Sequence, residues 1–251
     1  MSTIAIIPAR LASTRFPEKV LANRTGKPLI QHVWENTKRA GSLSRVVIAT
    51  DHPRVQAACV AFGAEVVVTR EDHPNGSSRL AEAAATLGLS GTDIVVNVQG
   101  DEPEMEPGVI DAAVGALERS GAEAGTVASP FARGEDPANP NIVKVVLRRD
   151  GCAMYFSRSL LPFPRVSGID GAAPLRHVGL YAYRVGFLKQ YPGLTPTPLE
   201  RAESLEQLRI LEHGFRISVA VTPCHGVGID TPEQYEAFVA RVMKTPPGIR
   251  G

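Results

Sequence analysis

Three cations and two hydroxyls crowd one loop near the start of the chain. Arg10, Ser13, Thr14, Arg15 and Lys19 all lie in A-R-L-A-S-T-R-F-P-E-K, residues 9–19. The run T-I-A-I-I-P at 3–8, just before it, reads as a short buried strand. A strand end that opens into a cationic, hydroxyl-bearing loop is where an open α/β sheet holds a polyanion. A second signal is Asn97-Val98-Gln99-Gly100-Asp101-Glu102-Pro103, where a buried strand ends in an amide, a glycine and an acid. With parallel strands, Asp101 projects over the same carboxyl edge as the first loop. Two readings stay open for it. It either meets phosphate oxygens through a divalent cation, or it is a turn acid that caps the next helix or pairs with Arg10. Asp230, in G-V-G-I-D-T-P at 226–232, is either a second metal ligand or part of a helix start with Thr231 and Pro232. The short G-x-G there lacks the third glycine of a dinucleotide site.

Further polar groups could complete a binding site. Asn75 to Arg79 forms a polar loop leading into a helix, whose first amides favour an anion unless this is a plain capped helix with Arg79 in solvent. Arg176-His177 stands at the entrance to a strand carrying Tyr181 and Tyr183, and Glu206 and Gln207 share a helix. An acidic sugar wants cations near its carboxylate and amides or carboxylates near its hydroxyls. Arg165, His177, Glu206 and Gln207 suit those needs, although each alone is more often surface or core. Walker, H-E-x-x-H, zinc-spacing and G-x-S-x-G motifs are absent.

These groups need a scaffold, and the first half of the chain supplies an alternating one. Residues 3–8, 45–50, 65–69 and 93–98 read as strands, and 28–40, 55–62, 79–87 and 107–119 as helices. That order implies a mainly parallel sheet covered by helices. The pattern then changes: 126–129, 142–147, 152–156 and 180–183 read as strands without intervening helices, with Asp150-Gly151 as a hairpin turn. Residues 162–176 read as a flexible Pro- and Gly-rich loop, of which 162–174 is a candidate lid. A single helix is predicted over 199–213, closed by Gly214. A strand over 216–221 and a last helix over 232–243, capped by Thr231, follow, and 246–251 reads as a frayed end.

The chain has 251 residues with 43% hydrophobic and 21% charged content, ordinary for a globular protein. A net charge of +1 gives no overall basicity for nucleic acid or a membrane surface. Cys59, Cys152 and Cys224 are widely spaced, so reduced thiols are expected. The N-terminus reads as a strand rather than a signal segment, and no apolar run reaches the roughly 18 residues of a spanning helix. A cytoplasmic location is the expectation.

Taken together, the segments resemble the 3-deoxy-manno-octulosonate (Kdo) cytidylyltransferases over about residues 3–240. The resemblance rests on I-P-A-R-L-A-S-T-R-F-P-E-K at 7–19, A-T-D-H at 49–52, R-E-D-H-P-N-G-S-S-R-L-A-E at 70–82 and V-N-V-Q-G-D-E-P at 96–103. N-P-N-I-V-K-V-V at 139–146, Y-F-S-R at 155–158, R-H-V-G-L-Y-A-Y-R at 176–184, S-L-E-Q-L-R-I-L at 204–211 and G-I-D-T-P-E at 228–233 complete it. The resemblance implies one three-layer α/β/α, Rossmann-like nucleotidyltransferase domain over 1–251. A small antiparallel dimerisation lobe, roughly 130–190, would sit within it. It implies CTP and Kdo as substrates, CMP-Kdo and pyrophosphate as products for lipopolysaccharide synthesis, Mg2+ as cofactor, and a homodimer. By matching position, Arg10, Ser13, Arg15, Lys19, Gly76 and Ser77 would hold the nucleotide. Asp101 and Asp230 would bind the metal, with Asp101, Lys19 and Arg15 the catalytic set. Arg79, Gln99, Arg165, His177, Tyr181, Glu206 and Gln207 would line the sugar site. The chain departs from the family where F-P-E-K-V-L at 16–21 replaces L-P-G-K-P-L and where G-S-S-R at 76–79 replaces G-T-E-R. Glu18 should therefore point away from the phosphates, and the missing acid at Ser78 widens the sugars to consider to an 8-amino variant of Kdo. Outside that group, a cytidylyltransferase for another acidic sugar such as a sialic acid, a sugar-1-phosphate nucleotidyltransferase and a silent nucleotide-binding module are the rival readings.

Overall fold

The computed structural model describes residues 1–244 apart from Pro74, Ser167, Asp170 and Val227. The stretch 246–251, read as a frayed end, lies outside the described residues, as do two positions of the candidate lid and the middle of the Gly226–Gly228 motif.

Among the described residues, short apolar runs bounded by turns become the strands of one nine-stranded sheet. β1 (Thr3–Ala9), β2 (Arg45–Thr50), β3 (Glu65–Val68) and β4 (Ile94–Asn97) lie in the order β3-β2-β1-β4, all parallel. β8 (Leu175–Arg184) pairs antiparallel with both β4 and β5 (Ala124–Pro130). β5 thereby returns to the direction of β4, and β9 (Ile217–Val221) pairs parallel with it. Along this path every strand but β8 points the same way, so the sheet has one carboxyl edge, as expected. β6 (Lys144–Leu147) and β7 (Ala153–Ser157) form the predicted antiparallel hairpin over Asp150-Gly151, with Gly151 at φ 80°, and β6 also pairs with the start of β8.

The two faces are covered separately, because successive residues of a buried strand point to opposite sides. Ile4 and Ile6 face one core, filled by α3 (Gly76–Thr86), α5 (Val185–Leu188) and α7 (Gln207–Glu212). Ala5 and Ile7 face the other, filled by α1 (Leu29–Thr37), α2 (Pro53–Ala61) and α4 (Pro107–Arg119). This is the three-layer α/β/α arrangement. The last helix, α8 (Pro232–Lys244), packs Tyr235 and Phe238 on Leu29, and Tyr235 lies 5.5 Å from the ring of Phe16 in the first loop. The chain's far end is thus tied to its opening loop.

One predicted strand and two predicted helices differ: β8, expected over 180–183, begins five residues earlier at Leu175, inside the stretch read as a flexible loop. The helix expected from residue 79 begins at Gly76, because the Asn75 side chain accepts from the Ser78 amide at 2.9 Å and caps it three residues early. The single helix expected over 199–213 is two: α6 (Pro198–Glu203) and α7, broken by Ser204 in the left-handed region at φ 52°. A Thr197–Glu200 capping box starts α6. The bidentate pair between Arg209 and Glu200 then ties the two short helices together across the break.

Candidate active site

Gly100 decides how the carboxyl edge is built. A Cβ there would lie 2.7 Å from the Pro8 carbonyl oxygen, so only glycine lets the end of β4 settle against the end of β1. Gln99 and Asp101 are thereby brought beside the opening loop. The Ile229 amide donates to the Asp101 carbonyl at 2.8 Å, which fixes the 228–230 segment at the same place. Thr231 caps α8: the Gln234 amide donates to its hydroxyl, while the Asp230 and Thr231 amides donate to Gln234 Oε1 at 2.6 and 3.0 Å. Since Thr231 and Gln234 supply the cap, the Asp230 carboxylate turns into the site.

Both carboxylates meet one ammonium there. Lys19 Nζ lies 2.8 Å from Asp101 Oδ2 and 3.3 Å from Asp230 Oδ1, with its side chain only 9% exposed. Asp101 therefore pairs with Lys19 and not with Arg10. The Arg15 guanidinium, mostly in solvent, reaches Asp230 at 2.9 Å. Arg10 donates to the His73 carbonyl at 2.8 Å, tying the first loop to the segment before α3. Glu18 turns away, as the phosphate-loop reading requires: Arg54 clasps its carboxylate at 2.5 and 2.7 Å, and that hydrogen bonding holds its pKa below the usual range. The result is a cleft of about 410 Å³ lined by Arg10, Ser13, Arg15, Lys19, Asp101 and Asp230 among others.

A second compartment of about 290 Å³ adjoins it. Gly76 and Gln99 belong to the walls of both. Tyr181, Tyr183 and Tyr191 form one side, and Ser204, Glu206 and Gln207, delivered by the break between α6 and α7, form another. Burial raises the Glu206 carboxyl above its ordinary pKa and pushes the Tyr191 phenol up to about 12, so these walls are neutral hydroxyls facing one reluctant acid. Ser77, expected with the nucleotide set, lines this second compartment and not the first.

Three expected sugar contacts are not brought to the described walls. Arg79 is fully buried and spent on structure: it forms an ion pair with Asp51 and donates to Thr69 Oγ1 at 2.6 Å. Neither a solvated nor a ligand-facing Arg79 survives, because α3 starts early and turns this side chain inward. His177 sits behind Tyr181, its ring 5.4 Å from that of Tyr181 and 4.9 Å from that of Phe156, with Thr126 Oγ1 3.0 Å from Nε2. Burial drives its pKa down to about 3, so it is a neutral prop for the tyrosine and not a cation for a carboxylate. Arg165 lies exposed on the loop between β7 and β8 and is not among the described residues that line either compartment.

Two polar residues that sequence reasoning passed over come into play. Glu102 Oε2 is buried without a hydrogen-bond partner, and burial, helped by Asp101 and Asp230, raises that carboxyl to about 7. Asn97 lines the second compartment with its own Oδ1 unpartnered. The adjacent D-E pair and the amide ending the strand were the available signals.

The donor chemistry suits a hard divalent cation. The converging Asp101 and Asp230 oxygens, with an orphaned Glu102 oxygen beside them, offer oxygen ligands only. Among the described residues no three His, Cys, Asp or Glu side chains form a complete metal cage. Water and phosphate oxygens would have to finish the shell, which is the usual Mg2+ arrangement.

Similarity to known proteins identifies the family. A cytidylyltransferase family model matches residues 4–217. The 3-deoxy-manno-octulosonate cytidylyltransferase of Leptothrix cholodnii is 51% identical over 246 residues, covering 94% of this chain and 90% of the relative. That of Syntrophobacter fumaroxidans is 50% identical, covering 95% and 96%. The solved structure of CMP:2-keto-3-deoxy-manno-octonic acid synthetase complexed with CTP superposes with a TM-score of 0.90 at 38% identity, covering 97% of this chain and 99% of that one. The inositol-1-phosphate CTP transferase of T. maritima, 12% identical with a TM-score of 0.66 over 97% of each chain, shares the fold alone. On its sequence and its fold, this chain belongs to the cytidylyltransferase family, among the 3-deoxy-manno-octulosonate cytidylyltransferases.

Proposed function

We propose that the protein transfers CMP from CTP to Kdo, releasing pyrophosphate. One observation carries this reading. A cationic cleft and a hydroxyl-rich compartment share the wall made by Gly76 and Gln99, so two anionic substrates can meet there. Arg10, Ser13, Arg15 and Lys19 hold the triphosphate in the first compartment. Gln99, Tyr181, Glu206 and Gln207 hold the sugar acid in the second. The anomeric 2-hydroxyl oxygen attacks the α-phosphorus in line; the new O–P bond forms as the bond to the β-phosphate bridge breaks, pyrophosphate leaves and the hydroxyl proton goes to solvent. No covalent enzyme intermediate is required, so the work is positioning and charge neutralisation. Asp101 and Asp230 would hold Mg2+, which when bound supplies Lewis-acid polarisation of the α-phosphate and the attacking hydroxyl. The Lys19 ammonium, already seated between these carboxylates, keeps them from repelling each other and turns toward phosphate oxygens as they arrive. Arg15, exposed at the mouth beside Asp230, would exchange that carboxylate for the leaving pyrophosphate.

CTP is a cytoplasmic metabolite, so the enzyme is placed in the cytoplasm. Among the described residues no helix is long and apolar enough to cross a membrane. The β6–β7 lobe is the surface on which a homodimer would form. The test is incubation with CTP, Mg2+ and Kdo, its 8-amino analogue or a sialic acid, with nucleotide-sugar read by mass and pyrophosphate by coupled assay. CMP-Kdo as the product supports the reading. CTP binding without product from any sugar acid overturns it.

A further inference from the structure

Asn97 ends β4 directly opposite Tyr181 of the antiparallel neighbour β8, so the two side chains stand together on one face of the sheet. Both line the second compartment, and both are more than nine-tenths buried, at 5% and 8% exposure. Asn97 Oδ1 lacks a hydrogen-bond partner, and the Tyr181 hydroxyl has at most a loose contact with the Thr126 hydroxyl. The Thr126 hydroxyl next to the tyrosine is already committed to the Leu180 carbonyl at 2.7 Å and to His177 at 3.0 Å. The Tyr181 ring is held firmly, stacked 5.6 Å from Tyr183 with His177 on its other side, so it cannot swing to find a partner. Leaving a buried amide unsatisfied costs stability, and buried polar groups in folded proteins are nearly always paired. An unpaired amide oxygen beside a tyrosine hydroxyl, on two residues that line the same cavity, is a receptor that a ligand hydroxyl would complete. Leu or Val would fill the Asn97 position at lower cost if packing were the only requirement.

We propose that Asn97 is a specificity-determining residue: together with the Tyr181 hydroxyl, its amide hydrogen-bonds a hydroxyl of the acceptor sugar and so rejects analogues that lack it. The inference rests on the reading that the second compartment takes the sugar acid. A site built to bond a substrate hydroxyl discriminates strongly, because an analogue without it leaves the buried groups unpaired.

The test is Asn97→Leu, measured with CTP, Mg2+, Kdo and a series of Kdo analogues each lacking one hydroxyl, alongside Tyr181→Phe, which removes the hydroxyl and keeps the stack. The expected result for Asn97→Leu is a rise in KM for Kdo of roughly 10- to 100-fold with KM for CTP changed less than about twofold. Its preference for Kdo over the one analogue that the wild type rejects most should shrink by a similar factor, and its melting temperature should be unchanged or higher. Tyr181→Phe should raise KM for Kdo in the same direction. An unchanged KM for Kdo, undiminished discrimination between Kdo and the analogues, or a rise in KM for CTP in place of Kdo would each overturn the assignment. A fall of many degrees in melting temperature would make Asn97 a structural residue and overturn it equally. If the wild type itself does not turn over Kdo, the substrate reading fails first; wild-type turnover with an indifferent Asn97→Leu sinks Asn97 alone.

Discussion

Asp101 and Asp230 are the residues to which the proposed mechanism assigns the metal, and their position predicts separable effects on rate and fold. Asp101 is about one-third exposed and shares Lys19 with a second carboxylate. Removing its charge by Asp101→Asn leaves Lys19 paired with Asp230, so the fold should stand. Losing one preorganised electrostatic stabiliser typically costs on the order of 10²–10³ in rate. We expect that loss in kcat at saturating CTP and sugar, with a melting temperature close to wild type; normal turnover would remove Asp101 from the mechanism. His177 makes the opposite prediction, an effect on stability. Burial lowers its pKa from 6.5 to about 3, so between those values the unfolded chain binds a proton that the folded chain refuses. Its contribution is complete above pH 6.5 and drains away as the pH falls toward 3, amounting to roughly 2–3 kcal/mol by pH 4.5. His177→Phe keeps an aromatic ring between Phe156 and Tyr181 and has no proton to take. Calorimetry at pH 7 and pH 4.5 should show a smaller drop in its melting temperature than in the wild type; an equal drop would mean that the imidazole is solvated. The roles of these side chains were unevenly legible. Cations and acids near strand ends can be read from type and spacing. The unpaired state of Asn97 and Glu102, or the inward turn of Arg79, depends on what the rest of the fold puts beside them.

At the scale of elements, the start of α8 separates two jobs that a sequence cannot tell apart. Asp230 and Thr231 are both good helix-start residues, and either could have been the cap. In the structure Thr231 and Gln234 satisfy the orphan amides, which leaves the acid for the cleft. Thr231→Ala should therefore cost about 0.5–2 kcal/mol, the usual loss for an N-cap. Asp230→Asn should cost little in stability, since Arg15 is largely solvated, Lys19 keeps Asp101 as its nearer partner at 2.8 Å, and the change relieves repulsion with Asp101 and Glu102. Turnover should fall far more in Asp230→Asn than in Thr231→Ala. Urea midpoints and turnover measured side by side decide the matter: if Asp230→Asn unfolds as early as Thr231→Ala, the acid is a cap after all. The break between α6 and α7 was harder to foresee. Apolar residues recur at helical spacing through Leu199, Leu205, Leu208 and Leu211, so periodicity reads one helix. The left-handed turn at Ser204 is fixed by tertiary contacts, chiefly Arg209 on Glu200 and the Arg158 side chain donating to the Glu203 carbonyl at 2.7 Å. That break shapes the candidate site, because it turns Glu206 and Gln207 into the second compartment.

For the whole molecule, alternation of strands and helices was enough to give the layers and the shared carboxyl edge, because buried parallel strands leave long apolar runs. It could not give the strand order, in which β8 inserts between β4 and β5 and brings Tyr181 beside Asn97. That order is set by long-range pairing, which leaves no local mark. The consequence is a first compartment assembled from four distant segments: residues 8–20, Gly76, residues 99–101 and Asp230. A ligand that bridges all four must stabilise the entire fold, since each segment belongs to a different crossover of the sheet. CTP with Mg2+ at about 100 times its Kd should then add about 2.7 kcal/mol, which for a chain of this length is a rise of about 5–10 °C in melting temperature. If Asp101 and Asp230 recruit the metal, chelation should shrink that rise in the wild type, and Asp101→Asn should show the smaller rise with or without chelator. A nucleotide that filled only a surface groove would bind one segment and shift the transition little. A full shift retained by Asp101→Asn in the presence of Mg2+ would separate nucleotide binding from the paired carboxylates and leave them without a metal to hold.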